Sequence, residues 1–129
     1  MVMLREEKGQ SLVETALLLP ILLLLLVGII DFGRVLYAYA HLHLATQETV
    51  RLGGLGKTDQ EMSEFARSYV HLGDSSLLNI SISPTDLNRH SGDYVTVSLE
   101  YPLELYTPFL SDLLPSPVLI STNSTIRVE

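Results

Sequence analysis

One carboxylate interrupts the most apolar segment of this sequence. Residues 12–30 form the 19-residue stretch LVETALLLPILLLLLVGII, in which Glu14 is the only charged side chain. An unpaired charge at the centre of a membrane helix costs roughly 2.5–3.5 kcal/mol on insertion scales, and less near the interface. The carboxylate therefore needs either a cationic partner or access to the membrane surface. An ammonium group one helical turn away, at i,i+4 spacing, would be such a partner.

Gly9 and Gln10 offer a source for that ammonium. The leader MVMLREEKG is short and charged, ends in a small residue and precedes an apolar helix, which is the pattern of a prepilin-type leader. Cleavage after Gly9 would give Gln10 a free α-amino group and make Glu14 the fifth residue of the new chain. Glu14 would then set the axial register between helices, through its own Gln10 or that of a neighbouring subunit. The alternative is that Glu14 extends to the lipid headgroups.

The apolar stretch has about the length that spans a bilayer as a helix. Arg5 and Lys8 favour a cytoplasmic N-terminus, although Arg34 on the other side opposes them. Two further interpretations stay open at this point. One is a plain signal-anchor helix. The other is a cleaved secretory signal peptide, since residues 38–40 read Ala-Tyr-Ala and resemble a signal peptidase site.

The segment GQSLVETALLLPILLLLLVGIIDFGR, residues 9–34, resembles the N-terminus of TadE-like proteins. These are minor pseudopilins of the tight-adherence (Tad) pilus system. The resemblance rests on the Gly9–Glu14 leader and on the exit motif Asp31, Phe32, Gly33 and Arg34, which ends the membrane segment. The last six residues, STIRVE, also resemble the usual ending of the family. Thr15 departs from pilin-type leaders, which often carry an aromatic residue there, and this weakens a major-pilin interpretation.

The resemblance implies a pilin-like protein of the bacterial inner membrane that crosses it once, with the N-terminus cytoplasmic and the head domain periplasmic. It implies cleavage between Gly9 and Gln10 by a prepilin peptidase, with Glu14 serving processing or assembly. The implied partners are membrane lipid, other pilus or pseudopilin subunits and the inner-membrane Tad assembly machinery. The implied role is structural, in building or priming an adhesive pilus.

The sequence predicts an α+β fold. Its three parts would be a leader at 1–9, a long helix at 10–52 with its membrane part at about 12–30, and a small head domain at 53–129. The GGLG at 53–56 would end the long helix. Asp59 would cap a second helix at 60–72, and three antiparallel strands would follow, around 78–83, 95–101 and 119–128. The helix residues expected to pack on the head are Val35, Leu36, Tyr39, Leu42, Ala45, Thr46, Thr49 and Val50.

Composition excludes several function classes. Residues 32–129 hold six Lys and Arg against eleven Asp and Glu, so the acidic surface argues against nucleic acid. The chain has no cysteine, which removes disulfides and thiol chemistry. The histidines lack ligand spacing, and no nucleophile elbow is present, so we expect no metal, no cofactor and no enzyme activity. The rival hypothesis is a bitopic envelope protein with an exported ligand-binding domain.

Overall fold

The long N-terminal helix dominates the architecture. The computed structural model describes residues 2–108, 110–114 and 117–129, and within them α1 runs unbroken from Val2 to Gly54. Its 53 residues correspond to about 80 Å of helix. The helix therefore includes the leader residues from Val2 onward and continues two residues beyond the predicted end at residue 52.

A glycine-rich turn ends α1 as the sequence predicts. Gly56 adopts a positive φ of 86°. The N–H of Lys57 donates to the carbonyl of Leu52 at 3.1 Å, and the N–H of Gly56 donates to that of Gly53, also at 3.1 Å. These two bonds are the Schellman pattern, which satisfies the last carbonyls of a helix through a left-handed glycine.

The second helix, α2, spans Asp59–Tyr69, three residues shorter at its end than predicted. Its cap is Thr58 rather than Asp59. The Thr58 side chain accepts a hydrogen bond from the N–H of Glu61, and the Glu61 carboxylate accepts one from the N–H of Thr58. This reciprocal capping box places Asp59 inside the first turn. Asp59 instead pairs with Arg89, at 3.0 Å.

Three strands form one antiparallel sheet in the order β1-β2-β3, with β1 at Asn79–Ser83, β2 at Tyr94–Leu103 and β3 at Val118–Arg127. Along β2, buried and half-buried side chains alternate from Val95 to Leu103, as expected for a sheet with one covered face. A four-residue helix, α3, lies at Leu110–Leu113, between β2 and β3. The α+β prediction of a long helix, a second helix and three antiparallel strands is confirmed.

The core lies between the sheet and the second half of α1, which packs against β2 and β3. Six of the α1 side chains on that face are buried: Ala38, Leu42, Ala45, Thr46, Thr49 and Val50. The prediction is wrong for two members of the face, Leu36 and Tyr39, because they are 53% and 51% exposed. The helix buries a narrower stripe than the spacing allows, and the small side chain of Ala38 is part of it.

Candidate membrane segment and exit motif

The first half of α1 projects from the head, and its apolar side chains lack contacts with the described part of the chain. From Leu12 to Ile30 every side chain is exposed except Val27 and Gly28, which are half-buried. By length and composition, α1 is the helix in the described part of the chain that could cross a membrane. Exposed apolar patches of this size mark membrane or protein contacts, because water would make them costly.

At the N-terminal end, the structure places Gln10 and Glu14 on one side of the helix. The side-chain amide of Gln10 donates to the carboxylate of Glu14 at 3.3 Å. Both residues are exposed, and a Cβ built on Gly9 would have no heavy atom of the described residues within 4 Å. The i,i+4 relation on which the register hypothesis depends is therefore present in the chain that still carries its leader. The Gly9–Gln10 bond lies within the helix, between two exposed residues.

The exit motif begins with a buried carboxylate. Asp31 is 2% exposed, and its side chain leaves α1 to meet the loop that follows β2. It accepts hydrogen bonds from the backbone N–H of Tyr106 at 2.9 Å, from the N–H of Thr107 at 2.6 Å and from the Thr107 hydroxyl at 2.6 Å. These bonds join residues 75 and 76 positions apart in sequence, so they attach the head to the helix where the apolar segment ends.

Arg34 completes this attachment from the next turn of the helix. Its Nη1 donates to Asp31 at 3.1 Å and to the carbonyl of Glu104 at 2.9 Å, and its guanidinium carbon lies 4.0 Å from the centre of the Tyr106 ring. The pairing of Asp31 with Arg34 agrees with their i,i+3 spacing. The ring contact adds a cation–π interaction.

Several donors around Asp31 offset the cost of burying a negative charge. Burial raises the pKa of Asp31, but the hydrogen bonds from Thr107, from the backbone at Tyr106 and Thr107 and from Arg34 outweigh it and lower the pKa from 3.8 to about 2. Bonds to the ionised form favour that form. Asp31 is therefore a permanent anion at neutral pH, held by the head.

The two middle residues of the exit motif have a different environment. Phe32 is 65% exposed, and Gly33 is also exposed, with open space where a Cβ would lie. The structure thus brings Asp31 and Arg34 together with the loop at 104–107 and leaves Phe32 and Gly33 on open surface. Glu14 does not join this group, because it precedes Asp31 by 17 residues, about 25 Å along the helix axis.

Sequence reasoning missed the loop as the partner of Asp31. A signal is present in the sequence, because Thr107-Pro108 has the order of a cap and a first helical residue, and such residues often supply or receive capping bonds. The carboxylate that uses the Thr107 donors comes from α1, not from the turn itself. Spacing along the chain does not indicate which distant acceptor a loop will meet.

Sequence reasoning also missed a histidine contact between two elements. The N–H of His71, after α2, donates to Nε2 of His41 at 3.1 Å. The His41 ring stacks between Tyr37, at 5.8 Å, and Tyr69, at 5.5 Å. His43 instead stacks on Tyr39. Within the described residues, no three His, Cys, Asp or Glu side chains are grouped so as to hold a metal ion.

Comparison with known proteins adds one finding. A family model described as TadE-like protein matches residues 9–51. The match starts at Gly9, includes Glu14 and the exit motif, and ends three residues before the end of α1. It covers about a third of the chain and does not reach the C-terminal STIRVE. No curated protein and no solved structure matches the chain.

Proposed function

We propose that this chain is a minor pseudopilin that helps to assemble or prime an adhesive pilus of the Tad type, because its residues 9–51 match the model of TadE-like proteins. The observation that carries the proposal is the extent of the match. It begins at Gly9 and includes Glu14 and Asp31, so it covers the leader boundary, the apolar helix and the attachment to the head. The role is structural rather than catalytic, with pilus subunits and the Tad assembly machinery as partners.

The long apolar helix fits a single-pass membrane protein. We place the protein in the bacterial inner membrane with the N-terminus in the cytoplasm and the head in the periplasm. Arg5 and Lys8 support this orientation, since cytoplasmic flanks carry an excess of Lys and Arg. The attachment of Arg34 to Asp31 and the Glu104 carbonyl also supports it, because that cation is held within the folded head.

Processing by a prepilin peptidase would remove residues 1–9. The exposed position of Gly9, with open space beside it, supports access by an enzyme. After cleavage, the new ammonium of Gln10 would lie one turn from the Glu14 carboxylate. In the full chain the Gln10 side chain already contacts that carboxylate. An ammonium would replace a neutral donor there and give a stronger, charge-assisted bond.

The first test is the mass of the mature chain. The protein is expressed with a prepilin peptidase, extracted from membranes and measured by intact-mass spectrometry. We expect a chain that starts at Gln10. Because a Cβ at Gly9 would have no heavy atom of the described residues within 4 Å, Gly9→Leu should block cleavage without changing the fold, whereas the matched Gly9→Ala should keep the small residue and be cut.

Two outcomes of this measurement would contradict the proposal. A wild-type chain that still begins at Met1 in the presence of the peptidase would remove the processing step. A chain that begins at His41 would show a signal peptidase product instead. That cut would remove Asp31, Arg34 and Ala38, all of which anchor or pack on the head.

The second test concerns Glu14. We expect Glu14→Gln to enter the membrane fraction at the wild-type level, since it removes a charge from the apolar segment. Piliation, counted by electron microscopy, should fall because the charged register contact is lost. Leu17→Ala, an exposed change one turn away, is the control and should leave piliation unchanged. Normal piliation of the Glu14→Gln strain would overturn the register role.

A further inference from the structure

The short helix α3 exposes leucines that the described elements of the head leave uncovered. Leu113 is 78% exposed and Leu114, which follows the helix, is 48% exposed. With Leu110 they occupy positions i, i+3 and i+4, which share one side of a helical turn, while Asp112 falls on the opposite side. We call Leu110, Leu113 and Leu114 the α3 face. An apolar face beside a charged one is the pattern of helices that lie at a membrane surface.

The position of α3 relative to α1 shows how deep the α3 face would lie in a membrane that α1 crosses. Leu110 and Leu114 border a cavity of about 280 Å³ together with Gly28 and Phe32. Gly28 lies within the apolar stretch 12–30, so the α3 face stands beside the last turn of the predicted membrane segment. The bonds from Tyr106 and Thr107 to Asp31 hold the loop that leads into α3 at the same level.

Two exposed aromatic side chains lie at the same level along α1, just beyond the end of the predicted membrane segment. Phe32 is 65% exposed and Tyr106 is 69% exposed. Tyrosine is enriched at the membrane–water interface, where its ring meets the acyl boundary and its hydroxyl meets water. Arg34 lies against the Tyr106 ring and is bound to Asp31 and to the Glu104 carbonyl, so the ring is held at this level of α1. The apolar surface of α1 thus continues onto the α3 face through Phe32, which borders the same cavity as Leu110 and Leu114.

We propose that the α3 face is a second membrane contact, inserted among the lipid headgroups of the leaflet that faces the head. The proposal rests on α1 crossing the bilayer, as proposed above, but not on cleavage at Gly9 or on pilus assembly. The occupant is lipid because the face continues the exposed surface of a membrane-length helix at the depth of Gly28. A single helix leaves the head free to tilt, whereas a second contact holds it in one orientation on the bilayer.

The test uses the absence of cysteine from the chain. Single-cysteine variants of the full-length protein are labelled with an environment-sensitive fluorophore and reconstituted in vesicles of phosphatidylethanolamine and phosphatidylglycerol. Lipids with a doxyl quencher near the top of the acyl chain report contact at the headgroup level, and lipids with the quencher near the end of the acyl chain report contact at the bilayer centre, where residue 22 is expected. Leu113→Cys tests the face. Leu22→Cys reports the membrane helix, and Leu87→Cys is the matched control, 90% exposed in the short 3₁₀ turn at Asp86–Asn88. All three replaced side chains are exposed, so each variant should fold.

We expect the label at residue 113 to be quenched several-fold more strongly than the label at residue 87, and equally at all protein-to-lipid ratios. Equal, weak quenching at 113 and 87, with strong quenching at 22, would overturn the second contact and leave the membrane helix intact. Weak quenching at all three positions would overturn the proposal through its premise. Protection of residue 113 that grows with the protein-to-lipid ratio, without lipid quenching, would overturn it in favour of a second copy of the chain.

Discussion

Residues 12–30 and residues 31–54 of α1 belong to one unbroken helix, but they differ in which side chains are covered. The first part carries most of the leucines, and nearly all of its side chains are exposed. The second part buries small or short side chains such as Ala38, Ala45 and Thr46, and it exposes the larger Leu36 and Leu44. The most apolar part of the helix thus has the fewest contacts within the described chain.

The difference indicates that the side chains of the two parts suit different surroundings. Small side chains in the second part bring the sheet and α2 close to the helix axis. At Gly53 a Cβ would lie 2.7 Å from Cε of Met62, so that position has no room for a larger residue. Bulky leucines in the first part have no such partner among the described residues, as expected of a surface that contacts lipid or other subunits. Asp31 lies at the boundary and joins the two parts.

The largest expected effect comes from the same substitution made in each part. Leu42→Ala opens a cavity at a side chain that is 0% exposed and should lower the free energy of unfolding of the head by about 3 kcal/mol. Leu22→Ala, at 53% exposure, should change it by less than about 0.5 kcal/mol. Guanidinium unfolding in mild detergent, followed by near-ultraviolet circular dichroism of the tyrosines, measures both.

An equal loss of stability in Leu42→Ala and Leu22→Ala would contradict the difference between the two parts of α1. It would mean that the first part of α1 packs on the head in detergent. If the bilayer covers residues 12–30, as proposed, the order of the two effects should reverse when membrane affinity is measured, because Leu22→Ala removes apolar area from that segment and Leu42→Ala does not.

The second-largest expected effect concerns Asp31, which lies where the two parts of α1 meet. The pKa of Asp31 lies at about 2 in the folded protein against 3.8 as the ordinary value, so its ionised form stabilises the fold. Because the folded pKa is lowered, this stabilisation is complete well above the ordinary pKa and is lost as the pH falls from about 4 towards 2. Asp31→Asn should therefore cost about 2 kcal/mol at pH 7.

The pH series supplies its own control. The difference in unfolding free energy between wild type and Asp31→Asn should shrink as the pH falls from about 4 to about 2, since the Asp31 carboxylate takes up a proton first in the unfolded chain and then in the folded one. Asp74→Asn, whose hydrogen bonds in the described chain go to Ser76 in its own exposed turn, should change the head much less. A gap between wild type and Asp31→Asn that does not change with pH would show that the charge is unimportant.

Local patterns predicted the elements well. Alternation of apolar residues located the strands, the GGLG located the end of α1, and the leader and exit motif indicated the family whose model matches residues 9–51. These signals are local, so each depends on neighbours within about one turn or strand. The i,i+3 pair of Asp31 and Arg34 belongs to the same class and is present at 3.1 Å.

Contacts between distant residues were not predictable in this way. Spacing alone does not indicate that Asp31 accepts bonds from Tyr106 and Thr107, or that His71 donates to His41. Leu36 and Tyr39 also satisfy the helical period but lie outside the stripe, because the sheet covers only a narrow part of the helix. The width of a buried stripe depends on the partner surface, which the helix sequence does not contain.

The smallest effect distinguishes two threonines on the buried face of α1. The Thr46 hydroxyl bonds to the Leu42 carbonyl at 2.7 Å and to the hydroxyl of Thr122 at 2.5 Å. Among the described side chains, the Thr49 hydroxyl is buried without a hydrogen-bond partner. Thr46→Val should thus lower the stability of the head by about 1 kcal/mol, whereas Thr49→Val, of the same shape, should leave it unchanged or raise it by up to about 1 kcal/mol. The same guanidinium titration measures both variants, and equal losses would show that Thr49 has a polar contact in solution.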